Sequence, residues 1–478
     1  MKIPGFIENV IQKLEDAGYE AYIVGGCVRD ILMEVEPKDW DMTTNARPEE
    51  ILEVFEDAKY ENIFGTVLVP IRDHERQVLT VIEITTYRSE QGYSDRRRPD
   101  EVVFEDELDK DLERRDFTMN ALAMDSEGNI VDLFGGKKDI KIKLIRAVGE
   151  PSDRFREDAL RMLRAIRFAC QLGFEIELKT MRAITKHAGS IKFVANERIG
   201  EEFKKIMQSD RAYEGIMLLH EAKLLQYIIP ELERGIGVNQ NKHHSFSVWK
   251  HNTQSLKHCP SKDWRVRMAA MLHDIGKPET KKMIKGDFTF YNHEYLGERL
   301  VRKIMRRLKY SNEDTQKVTN LVRNHMFYYN VGEVTATSVR RLIKKVGKEN
   351  LKDLIDIRIA DRLGSGVPKA KPYKLRHLEY MMDKVQNDPV SVKMLKINGD
   401  ELMPLLKIEP GPKIGAILDV LLSEVIEDPE LNTKEYLEKR AQELKDMNLE
   451  ELRDKAKDKI EEKRQEEDRK LRRGRKVA

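Results

Sequence analysis

Cysteine, long apolar runs and an excess of either charge are what this sequence has least of. Its 478 residues include 3 cysteines, Cys27, Cys170 and Cys259, far apart and without CxxC spacing. Free thiols in a reducing cytoplasm are therefore expected. No stretch approaches the ~20 consecutive apolar residues of a membrane span. The N-terminal MKIPGFIENVIQKLEDAGYEAYIVGG reads as an amphipathic helix leading into a strand, without the apolar core of a signal peptide. A soluble cytoplasmic protein with no membrane contact is the expectation. Lys plus Arg is 86 and Asp plus Glu is 84, a formal net charge of +2, so any polyanion must be met by local clusters. No internal repeat is found.

What is present is charge in both signs, 36% of residues, against 40% hydrophobic, the balance of a helix-rich globular chain. The length suggests roughly three domains. Residues 1–150 read as mixed α/β, with helices over Pro4–Ala17 and Pro48–Phe55, a strand at Tyr22–Val24, and β-rich runs at Thr66–Ile71, Val78–Thr86 and Val102–Phe104. Between the last two lies a polar, arginine-rich loop from Arg88 to Val102. After Pro151 the texture turns helical, with apolar residues at three- and four-residue spacing over Asp153–Cys170, Lys179–His187, Asn196–Met207 and Arg211–His220. Glycines near 235 mark a boundary, GSGVPKAKP (364–372) reads as a linker, and the charged tail from Lys434 reads as one long solvated helix fraying at its basic end. The fold class expected is α+β: a head with a small mixed sheet and helices, then all-helical regions, divided as 1–150, 151–240, 241–366 and 373–478.

The chemistry is concentrated at Val24–Thr44, VGGCVRDILMEVEPKDWDMTT. Gly25 and Gly26 directly after a strand let backbone N–H groups approach an anion, and the following helix adds a favourable dipole. Asp39 and Asp41, alternate residues of an extended segment, share a face and offer hard oxygen ligands that suit Mg²⁺. Either motif alone is more often a turn or a solvated loop; in strand–turn–helix–strand order they form the parts of a phosphoryl-transfer site. Arg114 and Arg115 can clamp a triphosphate, while Asp116 and Asn120 offer acceptor and donor to a ribose; a surface charge cluster is the bland alternative. In EDALRMLR, a helix would place Asp158 and Arg161 side by side at i,i+3 with Arg164 a turn further. That row is either a surface ion pair or a hydrogen-bonding edge for a base.

GGCVRD, DWD, RRDFTMNALA, EDALRMLR and ERIGEEFKKI (197–206), in that order, resemble the class II nucleotidyltransferase family of CCA-adding enzymes and related bacterial poly(A) polymerases. The motifs cover roughly residues 20–235. The resemblance implies that Asp39 and Asp41 hold the catalytic Mg²⁺, and that Gly25, Gly26 and Arg29 hold the triphosphate. Arg115, Asp116 and Asn120 would read the ribose and its phosphates. Asp158 and Arg161, extended by Arg164, would pair with the incoming base and select ATP or CTP without a nucleic-acid template. Glu197 and Arg198 would brace that helix. The partners implied are tRNA, ATP and CTP. IFGTVLVPI (63–71) stands where related poly(A) polymerases usually carry a basic segment. The loop with Tyr93, Asp95 and Arg96–Pro99 is the kind shortened in enzymes that add only the two cytidines. The expected activity is therefore addition or repair of the 3′-terminal CCA of tRNA from CTP and ATP, with an enzyme adding only A, or a poly(A) polymerase, as the alternative.

His251, His273-Asp274 and Asp361, with His293 and His325 between them, resemble the HD phosphohydrolase superfamily. That likeness implies a divalent metal, of unknown identity, on His251, His273, Asp274 and Asp361, and a phosphatase or cyclic phosphodiesterase activity. Another reading makes the chain an HD hydrolase with an RNA-binding N-terminal region. The segment from Leu395 to Pro429 resembles the tail of HD-bearing CCA-adding enzymes, with Gly411-Pro412 and Gly415 opening a helix suited to RNA phosphates.

Overall fold

The computed structural model describes residues 3–62, 65–72, 75, 77–91, 101–240, 246–327, 336–366, 375, 376, 378, 379, 382 and 395–454. Tyr93, Asp95 and Arg96–Pro99 of the arginine-rich loop, most of the expected linker and the basic end of the tail lie outside them. The chain divides into two compact units, Met1–Val322 and Arg323–Ala478.

The first unit begins with α1 (Gly5–Asp16), whose Ile7, Val10, Ile11 and Leu14 fall on one buried stripe at helical spacing. It covers a seven-stranded sheet. In chain order the strands are β1 (Ala21–Val24), β2 (Asp41–Thr44), β3 (Lys59–Asn62), β4 (Thr66–Arg72) and β5 (Val78–Thr86), and later β8 (Ala123–Met124) and β9 (Ile130–Val131). A separate pair, β6 (Arg88–Gln91) and β7 (Glu101–Phe104), lies between them in sequence. The sheet order is β3-β4-β5-β2-β1-β8-β9. The β2–β5 pair is parallel and the other pairs are antiparallel, which makes the sheet mixed, as expected. β-Branched residues build its long strand β5, where Ile82, Ile84 and Thr86 alternate into the core. Helices α2 (Gly26–Leu32), α3 (Pro48–Val54), α4 (Leu108–Glu113) and α5 (Gly136–Lys141) complete the head.

From residue 151 the unit is nearly all helix: α6 (Pro151–Glu157), α7 (Leu160–Leu172), α8 (Leu178–His187), α9 (Asn196–Gln208) and α10 (Ala212–Glu221), then α11 (Leu225–Ile228), α12 (Pro230–Glu233), α13 (Val248–Lys257), α14 (Trp264–Leu272), α15 (Lys277–Thr280), α16 (His293–Arg307) and α17 (Asn312–Asn324). Two departures from the expectation stand out. The continuous helix expected over Asp153–Cys170 is broken at Asp158, whose backbone is extended at φ −134°, ψ 105°. The helical block around the histidines contains a β-hairpin, Lys282–Ile284 paired with Asp287–Thr289, turned by Gly286 at φ +84°.

The second unit holds α18 (Ala336–Val346), α19 (Leu351–Gly364), α20 (Gly399–Leu406), α21 (Pro412–Glu427) and α22 (Lys434–Leu444). Its core gathers Leu402, Leu406, Ile417, Leu421, Val425 and Leu437. The tail is not one solvated helix over its described part. Leu444 and Leu452 are buried in that core, and the chain turns between them. Asn448 restarts a helix, accepting from Glu451 N at 2.9 Å while Glu451 accepts from Asn448 N at 3.2 Å. Burying the sparse leucines outweighs the charged periodicity around them. Among the described residues no helix is long and apolar enough to cross a membrane.

Candidate active site

β1 delivers the chain into Gly25, whose φ of +79° with ψ −131° is open to glycine and costly for any other residue. A Cβ at Gly25 would stand 3.0 Å from Arg115 Nη1 and 3.7 Å from Asp41 Oδ2, so the turn comes up against an arginine and a carboxylate together. Gly26 opens α2, and Arg29 on that helix is nearly buried. Arg29 Nε and Nη2 donate to Asp30 Oδ1 at 2.9 and 2.7 Å, and Nη1 donates to Asn120 Oδ1 at 2.8 Å.

Asp41 is the first residue of β2, and Asp39 lies in the bend just before it. Burial pushes the Asp41 carboxyl above its ordinary value, Arg115 pulls it down, and the charge of Asp39 pushes it up again. A third carboxylate belongs with them. Glu83 is the register partner of Asp41 across the parallel pair. Its carboxyl is also raised, by burial and then by the charges of Asp41, Glu61 and Asp39. Asp39, Asp41 and Glu83 gather three hard oxygen donors with little positive charge among them, which is the donor set Mg²⁺ takes. Glu83 was missed among the sequence motifs; the signal that could have found it is that it is the one acidic residue in the β-branched run VLTVIEITT.

The second motif folds into a hydrogen-bonded chain. Asp116 Oδ1 accepts from Phe117 N at 2.9 Å and from Asn120 Nδ2 at 3.1 Å, and Oδ2 accepts from Arg164 Nε at 2.7 Å. Burial alone would raise the Asp116 carboxyl, but Arg164, Asn120 and Arg161 outweigh it and hold it low. Asp116 and Asn120 thus spend much of their capacity fixing Arg164 and Arg29. The guanidiniums of Arg29, Arg164 and Arg167 lie 5.4, 5.5 and 4.0 Å from the ring centre of Phe168. Arg167 in turn pairs with buried Glu202 at 2.8 Å. The motif reading passed over Phe168, Arg167 and Glu202, which look like helix core and surface by type.

Asp158 and Arg161 do not form the helical i,i+3 pair. Asp158 sits between α6 and α7, where Oδ1 accepts from Leu160 N at 2.9 Å, as a helix-capping aspartate does. Its Oδ2 accepts from Arg198 Nη2 at 2.7 Å, so Arg198, on the first turn of α9, reaches the carboxylate directly. Arg161 donates from Nη1 to Glu157 Oε2 at 2.5 Å and from Nη2 to Arg114 O at 2.8 Å. Both side chains are fixed before any base arrives. Glu197 is exposed.

The histidine centre is of another kind. His251, His273, Asp274 and His293 are all buried. His273 Nδ1 lies 2.8 Å from Ala270 O and His293 Nδ1 lies 2.8 Å from Phe290 O. A carbonyl only accepts, so each Nδ1 carries the proton and each Nε2 faces the cluster. His273 Nε2 stands 3.0 Å from His251 Nε2. Asp274 Oδ2 is 3.3 Å from His251, 3.4 Å from His273 and 2.5 Å from Lys277 Nζ, and Oδ1 is 3.2 Å from His293. Burial would raise the Asp274 carboxyl, but Lys277 and the histidines hold it well below the usual range. His251, His273 and Asp274 present ligand atoms all within 4.8 Å of one another. Imidazole and carboxylate together suit a divalent transition metal. His325 is buried just past α17. Asp361, the fourth ligand that the resemblance implies, lies on α19 in the second unit, where Arg358 Nη1 donates to it at 2.8 Å.

Comparison with known proteins agrees with the head geometry. Residues 21–146 match the model of the poly A polymerase head domain, residues 173–236 the "Probable RNA and SrmB-binding site of polymerase A", and residues 290–441 a model of tRNA nucleotidyltransferase domain 2. The CCA-adding enzyme of Enterococcus faecalis is 33% identical over 441 residues, 90% of this chain and 93% of that one. The CCA-adding enzyme of Ligilactobacillus salivarius is 34% identical over 438 residues, 91% and 95% of the two chains. Among solved structures, the Bacillus stearothermophilus CCA-adding enzyme in complex with CTP superposes with a TM-score of 0.64 at 26% identity, covering 93% of this chain and 98% of that one. Identity at this level along nearly the whole length, with the head fold in place, means that the chain belongs to the CCA-adding enzyme family of nucleotidyltransferases.

Proposed function

We propose that the chain adds or repairs the 3′-terminal CCA of tRNA from CTP and ATP, with no nucleic-acid template. One observation supports it above the others: the Asp41 carboxylate, register partner of Glu83, lies at the Gly25 turn with Arg115, while Asp158 and Arg161 are each held by other partners at the α6–α7 junction. The relatives that match along the whole chain are CCA-adding enzymes. The matched head model is one that poly(A) polymerases share, so it does not favour that alternative.

In this reading the 3′-hydroxyl of the RNA attacks the α-phosphate of the bound nucleotide and pyrophosphate leaves. Asp39 and Asp41 hold Mg²⁺, which when bound lowers the pKa of the hydroxyl and neutralises charge on the phosphate. The Gly25-Gly26 backbone, Arg29 and Arg115 hold the triphosphate. Asp116 and Asn120 hold Arg164 and Arg29 in place beside the ribose. Asp158 presents an acceptor and Arg161 the N–H groups it has left to the base edge, and Arg198 keeps the acceptor pointed. The division of labour follows the chain: catalytic head in 1–150, base-reading neck in 151–240, histidine region in 241–366 and tRNA-binding tail in 373–478. A cytoplasmic setting goes with that substrate and with three free cysteines.

A second reading concerns the histidine centre. Two Nε2 atoms 3.0 Å apart, with the His273 proton committed to Ala270 O, repel unless a proton or a cation lies between them. That favours a divalent metal on His251, His273 and Asp274, and a phosphohydrolase activity distinct from nucleotide transfer.

The test of the main reading uses tRNA transcripts lacking CCA, CA or A, each with CTP alone, ATP alone and both. The reading expects C on the first two substrates, A on the third, and a stop after A. An enzyme limited to A would ignore CTP, and extension of any RNA without a stop would mark a poly(A) polymerase.

A further inference from the structure

We propose that Asp111 is the positioning residue for the triphosphate-binding arginine, holding Arg115 against the Gly25 turn through a carboxylate shared with Arg114. The proposal rests on the role given above to Arg115.

Asp111 lies on α4, and its side chain is fully buried. Its two oxygens divide the arginine pair. Oδ1 accepts from Arg114 Nε at 3.0 Å and Nη2 at 2.6 Å, and Oδ2 accepts from Arg115 Nη2 at 3.0 Å. Two guanidiniums on consecutive residues repel, and one buried carboxylate between them removes that repulsion and fixes both planes. With Nη2 committed to Asp111, Nη1 of Arg115 is the atom that stands 3.0 Å from a Cβ at Gly25. Arg115 Nε is buried and has no protein acceptor. The geometry therefore leaves N–H groups of Arg115 at the turn where the phosphates are to lie.

The frame around Asp111 is rigid. Leu108 and Leu112 of the same helix pack with Tyr87, Ala123 and Val24, and Val24 is the residue before Gly25. α4 and the glycine turn are thus built on one strand end. The last carbonyls of α4 are occupied too: Arg154 Nη1 donates to Glu113 O at 2.9 Å and Arg161 Nη2 to Arg114 O at 2.8 Å. Cations capping the negative end of a helix are favourable, and here one of the caps is a base-reading arginine. The short turn after Asp111 therefore joins the phosphate end of the nucleotide site to its base end.

The experiment measures KM and kcat for CTP and for ATP in the full chain and in Asp111→Asn, Asp111→Glu, Arg115→Gln and the double variant Asp111→Asn/Arg115→Gln. Loss of one charge-assisted anchor should raise KM for both nucleotides by about tenfold or more, leave kcat within about threefold and leave KM for tRNA unchanged. Asp111→Glu should stay within about threefold of the parent in KM. If Asp111 acts through Arg115, the double variant is no worse than Arg115→Gln alone. A lowered kcat with KM unchanged would show a structural role only and overturn the proposal, as would additive KM effects. Should Asp111→Asn not fold, the remaining pair still decides: Arg115→Gln must raise KM for both nucleotides and Asp111→Glu must not. A parent chain that incorporates neither nucleotide would overturn the functional reading; an active parent with Asp111→Asn unchanged overturns this proposal alone.

Discussion

Asp41 is half-buried at the start of β2, an interior strand of the head sheet, and Asp274 follows a helix inside a cluster of buried histidines. Burial acts on both carboxyls in the same direction, yet they end on opposite sides of the ordinary value. Asp41 has Arg115 nearby but also Asp39 and Glu83, and stays raised. Asp274 has Lys277 at 2.5 Å and three imidazoles, and is held low. The head group is deficient in positive charge and open to a ligand that brings its own cation. The histidine group is already compensated by a protein ammonium. The difference teaches that likeness of residue type says little about role. What separates the two carboxyls is which charges the fold leaves unmatched around them.

The strongest break between the two comes from Asp41→Ala. With Asp41 in the role proposed for it, its removal should lower incorporation of both nucleotides by about a thousandfold or more, with the circular dichroism spectrum unchanged; primer-extension gels on tRNA transcripts measure it. His273→Ala should do the reverse, emptying the histidine centre of metal in elemental analysis of the full chain while CCA incorporation stays within about twofold. Arg198→Ala probes the brace on Asp158 and should cut discrimination between CTP and ATP by about fivefold with a smaller change in rate. The smallest effect lies in the scaffold of the histidine centre. Asp263 caps α14, accepting from Arg265 N at 2.9 Å, and its carboxyl is held down at about 2 by Arg265 and Lys317 against its burial. A depressed carboxyl contributes stability above the unfolded value of about 4 and loses it as pH falls toward 2. Asp263→Asn should therefore cost about 1 kcal/mol at pH 7, and the gap in urea midpoint should narrow as pH is lowered toward 3.

The head could be read in outline because its strands are β-branched runs and its helices carry regular apolar stripes. Gly25, Asp39, Asp41 and Arg115 stood in ordered motifs, and the structure brings Gly25, Arg115 and the carboxylates together. The break at Asp158 was not legible, because apolar spacing continues through it and a single aspartate inside a helical pattern is ordinary. Glu83 escaped because its meaning comes from Asp41, distant in sequence across the β2–β5 pair. Asp111, though only one helical turn before two arginines, is one of several acidic residues in the run from Glu105 to Glu113. The tail misled through composition, since a few leucines at Leu437, Leu444 and Leu452 decide its packing against many charges.

The central claim is that chemistry and choice are carried by different groups of one unit. The most direct measurement is the ratio of kcat/KM for CTP to that for ATP, on one tRNA lacking CA and one lacking A, in the parent and in Asp158→Ala. The account predicts that the ratio shifts by about tenfold or more toward indifference on both tRNAs while the summed rate falls less. A ratio unchanged by the substitution, with the rate collapsing as it does for Asp41→Ala, would contradict it.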